Sequence, residues 1–254
     1  MYTTLRSTIA RLLRSGAQKD HGHSPPEIEE RLSLATQTNL LRDFVYGAID
    51  GTISTFAIIS GIAGAGLSQQ IIVVLGLASI LADGFSMAAG NYLSTRSELQ
   101  NLRRLTSAEK RHIELYPQGE RAELEGILSQ HGLQGETLQT ATDIICQHKP
   151  LWINLMLAGE YGLSPVEPRP VAAALATFGA FVACGSLPLI PFVFLDDSAY
   201  LWSVIATALT FFVIGALKSR WSIEPWIVSA TQTVLIGGAA AGIAYSVGAL
   251  ISTL

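Results

Sequence analysis

Three stretches in the last third of the chain, Val171–Phe194, Ala199–Leu217 and Trp226–Leu254, contain no charged residue. Each is long enough to cross the roughly 30 Å hydrocarbon core of a bilayer as a helix. In lipid the backbone must satisfy its own hydrogen bonds, so helix is the local structure such stretches impose. Phe44–Gly66 and Ile71–Leu93 reach the same length with a single acidic residue each, Asp50 and Asp83. The expected fold is therefore an all-α membrane protein of five transmembrane helices. Composition agrees: 49% of the 254 residues are hydrophobic and only 14% charged, too apolar for an ordinary soluble domain of this length.

Orientation follows from the basic residues, which stay on the cytoplasmic side of span ends. All 16 obey one topology: six precede span one, eight lie between Thr95 and Pro170, and Lys218 and Arg220 separate spans four and five. The opposite loops, LSQQ and LDDS, carry none. The N-terminus and the large loop are thus expected in the cytosol and the C-terminus on the far side. The chain divides into a cytosolic N-terminal segment (1–40), spans one and two (41–94), a cytosolic helical domain (95–170) and spans three to five (171–254).

The N-terminal segment lacks the unbroken apolar core and cleavage site of a secretory signal. Leu5, Ile9, Leu12 and Leu13 would share one face of an interfacial helix, with disorder as the competing expectation. A net charge of −4 supplies no basic field for a nucleic-acid backbone, which removes nucleic acid as a partner. Cys146 and Cys184 are too far apart in sequence for a CxxC clamp and do not form a disulfide framework.

A carboxylate within a span costs about 2.5–3.5 kcal/mol on insertion scales, so Asp50 and Asp83 call for a polar path between helices. Asp43 and Asp50, seven residues apart, share a helix face with a rise of roughly 10 Å, as a mouth and a mid-pore site would. Ser79, Asp83 and Met87 follow at steps of four on span two, and carboxylate with thioether favours a transition metal over an alkaline-earth ion. The competing expectation makes Met87 packing filler and Asp83 part of a local network with Ser79 or Asn91. Gly47 and Gly51 are expected to thin the helix beside Asp50 and leave room for a substrate. Pro188 and Pro191 should kink span three, and the Gly237–Gly242 run should let span five approach its neighbours closely.

Between Thr95 and Pro170 the pattern turns polar and helical, punctuated by Pro117, Gly132, Gly135, Pro150 and Gly162. Three short helices after an extension of span two are expected. Ten of the chain's 20 acidic residues fall here. Glu109 with His112, Glu120 with Glu123, and Met156 with Glu160 each share a helix face. Singly such pairs are ordinary surface charge; three of them beneath a polar membrane path are how carboxylate-rich helices gather metal ions.

Two blocks, RDFVYGAIDGTISTFAIISGIAGA (Arg42–Ala65) and FSMAAGNYLSTRSE (Phe85–Glu98), resemble the vacuolar iron transporter family, and the likeness runs from about Leu41 to Leu254. The resemblance implies a homodimeric, proton-coupled exporter of cytosolic Fe(II), often also Mn(II), with its pore at the dimer interface. It implies no enzyme and no cofactor beyond the transported ion; the partners are a second copy, Fe(II), protons and the bilayer. Carried over by motif, Asp43, Asp50 and Met87 resemble the family's translocation residues. Glu109, Glu120, Glu123, Met156 and Glu160 resemble its cytosolic metal ligands.

The chain departs from the family pattern at three places. His112, Ser79 and Asn91 each stand where the family usually has Glu. Asp83, one turn beyond Ser79 on the same face, is expected to take over the lost carboxylate.

In the resulting reading the cytosolic carboxylates collect Fe(II), Asp43 draws it to the mouth, and Asp50, Asp83 and Met87 pass it across while protons return. Two other classes compete. A membrane-tethered module that stores or senses metal needs the cytosolic pairs but not Asp50. A carboxylate-bridged di-iron oxidase needs a four-helix bundle, for which the loop is too short. Compactness and the lack of targeting extensions favour a bacterial plasma membrane over a vacuolar one.

Overall fold

A computed structural model describes residues 24–35, 40–195, 197–219 and 224–253. The proposed interfacial face of Leu5, Ile9, Leu12 and Leu13 lies outside the described residues. Among these residues every regular element is helical: α1 (Pro25–Ala35), α2 (Leu41–Gly64), α3 (Gln69–Leu115), α4 (Pro117–Gln130), α5 (Gly135–Cys146), α6 (Lys149–Gly159), α7 (Pro170–Ser186), α8 (Ile190–Phe194), α9 (Ala199–Lys218) and α10 (Trp226–Ser252). Two compact units divide them. The first draws on Asn39–Tyr92 and Val171–Leu254, the second on Leu93–Pro170, so α3 contributes to both.

Four helices, α2, α3, α9 and α10, are long and apolar enough to cross a membrane. The stretch expected as span three is not one helix. α7 stops at Ser186, and after a short turn α8 takes up Ile190–Phe194. Pro188 and Pro191 donate no backbone N–H, and the intervening amides fall back on tighter bonds, Leu187 to the Cys184 carbonyl (3.3 Å) and Leu189 to that of Ser186 (3.0 Å). The two prolines break the helix where a kink was expected. Gln69, at the start of α3, donates to the Phe192 (2.7 Å) and Leu195 (2.8 Å) carbonyls that the short α8 leaves open.

α2 is the interior helix of the first unit: half of its most apolar window is buried, against 17% for α10. Phe56, Ile59 and Ile62 of α2 form its core with Ile72 and Ile80 of α3, Leu189, Phe192 and Ala241. The opposite faces stay apolar and uncovered, as with Val74, Leu77, Leu81 and Phe85 on α3 and Leu201, Leu209 and Val213 on α9, which is what a lipid-facing surface requires. Hydroxyls in the packed interior turn back on their own helices, Thr52 to the Ala48 carbonyl (2.8 Å) and Thr207 to that of Ser203 (2.7 Å).

Gly47 and Gly51 do not leave room for a substrate. A Cβ on Gly47 would lie 2.3 Å from the Thr177 carbonyl oxygen and one on Gly51 2.5 Å from that of Phe181. Their missing side chains are filled by the α7 backbone, as small residues at a membrane helix crossing usually are. The glycine run of α10 is only partly used for close packing: a Cβ on Gly237 would lie 2.1 Å from the Phe211 ring of α9, whereas Gly238 and Gly242 face open space, and the close backbone approaches of α10 to α2 are made by Gly248 on Gly61 and by Gly64 of α2 on Tyr245.

In the second unit, Leu102, Leu105 and Ile113 of α3, Leu124 of α4 and Trp152, Ile153, Met156 and Leu157 of α6 make one apolar core. Each fully buried aliphatic side chain there contributes about 1.5–3 kcal/mol. Arg121 of α4 ties α5 in place through ion pairing with Asp143 and a 3.1 Å hydrogen bond to Gln139.

Candidate metal centre

Along α3 the buried positions in the second unit are Leu102, Leu105, Glu109 and Ile113, one continuous helical stripe. Glu109 thus occupies a core position, and it is fully buried. The same substitution of carboxylate for apolar side chain occurs on α4, where Glu120 (5% exposed) shares a buried stripe with Leu124. Only Tyr116 separates the end of α3 from Pro117, the first residue of α4. That abrupt reversal sets the last turns of α3 beside the first turn of α4.

Glu109, His112 and Glu120 come together as a result: each offers a ligand atom, and these atoms all lie within 4.8 Å of one another. His112 Nδ1 is 3.4 Å from Glu120 Oε1. Glu109 Oε1 accepts a 3.0 Å hydrogen bond from the Tyr161 hydroxyl. Glu109 Oε2 and Glu120 Oε2 are both buried with no protein partner. Buried unpartnered carboxylate oxygens cost several kcal/mol unless a proton or a cation sits on them.

Burial, reinforced by the nearby charges of Glu109, Glu123 and Glu160, pushes the Glu120 carboxyl up to about 7. Burial and hydrogen bonding to Glu160 and Glu109 hold the Tyr161 hydroxyl protonated well above its usual range, so it acts as a donor. The donor set, carboxylate oxygen with one imidazole nitrogen, suits Fe(II), Mn(II) and Zn(II) better than Mg(II) or Ca(II). Displacing the Glu120 proton by a metal is the chemistry such a group offers near neutral pH.

The other expected ligands are placed differently. Glu123 and Glu160 are exposed, though near enough for Glu120 to feel their charge. Met156 is fully buried within the apolar core of the unit. Tyr161 was not among the expected site residues. Its position directly after the Met156 and Glu160 pair was the available signal.

In the first unit Asp43 is half-buried, and Asn91 Nδ2 donates to its Oδ1 at 2.9 Å and to Thr177 Oγ1 at 2.7 Å. Asn91 therefore links α2, α3 and α7 at Asp43 rather than joining a network with Asp83. Asp50 and Asp83 are both exposed on the surface of this single chain, and their carboxylates interact electrostatically. Ser79 donates to Asp83, as the local-network expectation required. Met87 is half-buried.

Comparison with known proteins decides the family. The model of the VIT family matches residues 41–249. This chain belongs to the VIT family. It is 31% identical over 245 residues to vacuolar iron transporter 1 of Oryza sativa subsp. japonica, covering 95% of both chains. Vacuolar iron transporter 1 of Arabidopsis thaliana is 29% identical over 213 residues, 83% of this chain and 85% of its own. The vacuolar iron transporter of Plasmodium berghei is 24% identical over 245 residues, 92% and 89% of the two chains. The VIT family match and the four long apolar helices together make the chain a multi-pass membrane protein.

Proposed function

We propose that this VIT-family protein carries Fe(II) out of the cytosol across a membrane, in exchange for protons, and accepts Mn(II) as a second substrate. The names of its relatives support iron as the cargo, and they favour a vacuolar membrane over a bacterial plasma membrane.

One observation carries the transport reading: Asp50 and Asp83 are exposed on spans whose outward surface is otherwise mostly apolar. Carboxylates facing lipid are costly, so this surface needs a polar cover, and a second copy presenting the same face would enclose a path lined by both pairs. The working unit in this reading is a homodimer with its pore at the interface. α7 and α8 together make a fifth, broken span, and the second unit lies in the cytosol, as the distribution of Lys and Arg requires.

The chain's own residues then divide the work. Glu109, His112 and Glu120 collect the ion, with Glu123, Met156 and Glu160 completing or feeding the set. Asp43, held by Asn91, draws the ion to the mouth. Asp50, Asp83 and Met87 hand it across, and carboxylates that give up a metal take a proton in return. Transport rather than catalysis is the activity.

Proteoliposomes holding the full-length protein test this. Fe(II) supplied anaerobically should enter vesicles carrying wild type and not those carrying Asp50→Asn. Metal binding without entry in wild type would replace the carrier with a tethered metal-binding module.

A further inference from the structure

Tyr161 lies in the turn just past the end of α6, at a point where the backbone leaves little freedom. Gly162 takes a left-handed conformation (φ +66 is found at Gly66, and Gly162 has φ +65), which L side chains adopt at a cost. The Leu163 N–H returns to the Leu157 carbonyl at 2.9 Å, closing the turn around Tyr161. The Tyr161 ring packs against the apolar core that contains Leu124, Met156 and Leu157. Its hydroxyl is thereby fixed 3.0 Å from Glu109 Oε1 and within hydrogen-bond reach of Glu160.

A phenol has one proton to donate, and the 3.0 Å bond places it on Glu109 Oε1. That leaves Glu109 Oε2, buried and without a protein partner, as the oxygen free to meet an ion. Carboxylate ligands are usually oriented by such a donor, and losing it weakens metal binding about 10–100-fold. Glu109 sits in the middle of an apolar stripe, where its polar neighbours are few: the Tyr161 hydroxyl donates to its Oε1, and the Glu120 carboxyl is its other hydrogen-bonding neighbour.

From this geometry we propose that Tyr161 is a positioning residue of the metal centre, presenting Glu109 Oε2 to a divalent cation without touching the cation itself. The inference rests on the reading of Glu109, His112 and Glu120 as a metal centre. It adds a residue that neither the sequence pattern nor the family match assigns.

The probe is Co(II), whose visible absorption reports the number and geometry of its ligands, titrated into the full-length protein in detergent. Three proteins are compared: wild type, Tyr161→Phe, and Glu109→Gln with Glu120→Gln. Tyr161→Phe keeps the ring and its packing, so the metal-free melting temperature should stay at the wild-type value. Its Co(II) dissociation constant should rise about tenfold and its absorption bands should shift. A Tyr161→Phe titration and spectrum identical to wild type would overturn the positioning role while leaving the centre intact. Wild type binding Co(II) no better than the double Gln variant would overturn the centre itself, and this inference with it.

Discussion

Raising the pH from 6 to 8 should tighten divalent-metal binding at the centre through the single proton on Glu120. With burial and neighbouring charges holding that carboxyl at about 7, a metal must displace its proton at pH 6 but finds it mostly gone at pH 8. The ionised fraction rises from roughly one-tenth to nine-tenths over this interval, so affinity should increase about tenfold. A carboxyl at the ordinary value near 4.3 would be ionised throughout and would give almost no change. Calorimetric titration of Mn(II) into the full-length protein, in two buffers of different ionisation enthalpy, measures both the affinity and the protons released. Glu120→Gln is run beside wild type to isolate the Glu120 contribution. A wild-type affinity equal at both pH values, or a pH dependence undiminished in Glu120→Gln, would refute the reasoning.

Three further outcomes follow from the same structure. A carboxyl raised on folding stabilises most below its unfolded value and loses that contribution as pH rises through about 7, so the metal-free protein should melt lower at pH 8 than at pH 5. Glu120→Gln should flatten that dependence in a thermal melt. Gly248→Ala places a Cβ 2.0 Å from the Gly61 carbonyl oxygen and should cost about 1–3 kcal/mol in detergent unfolding, whereas Gly238→Ala meets nothing and should be neutral or mildly stabilising. Asp83→Asn should abolish Fe(II) entry into proteoliposomes if Asp83 replaces the carboxylate missing at Ser79; transport retained at the wild-type rate would contradict that assignment.

The long apolar stretches were legible because their periodicity is irrelevant: length and lack of charge alone impose a helix in lipid. The break between α7 and α8 was only half legible. Pro188 and Pro191 announced a disturbance, but whether a helix bends or stops depends on whether neighbours such as Gln69 satisfy the freed carbonyls, which is a tertiary matter. Gly47 and Gly51 misled for a related reason. Spacing shows that a helix is thin on one side but not which neighbour fills the gap.

At the metal centre, the Glu109 and His112 pair could be seen from its spacing. Glu109 as a core residue could also have been inferred from its place in the stripe of Leu102, Leu105 and Ile113. Glu123 and Glu160 also stand in helical pairs, three residues after Glu120 and four after Met156, yet are exposed, because spacing gives a shared face and not the depth of that face. Tyr161 escaped because its contribution depends on the turn at Gly162, set by backbone handedness rather than by side-chain pattern.

In the proposed cycle Fe(II) and protons cross by the same carboxylates in opposite directions. Proteoliposomes with a pH-sensitive dye inside, acidic relative to the bath, would record both fluxes at once when Fe(II) is added outside under anaerobic conditions. Fe(II) should enter as the lumen becomes more alkaline, collapsing the pH gradient should slow entry, and Asp50→Asn should abolish both signals together. Fe(II) entry with no change in luminal pH, or entry undiminished in Asp50→Asn, would contradict the proposed cycle.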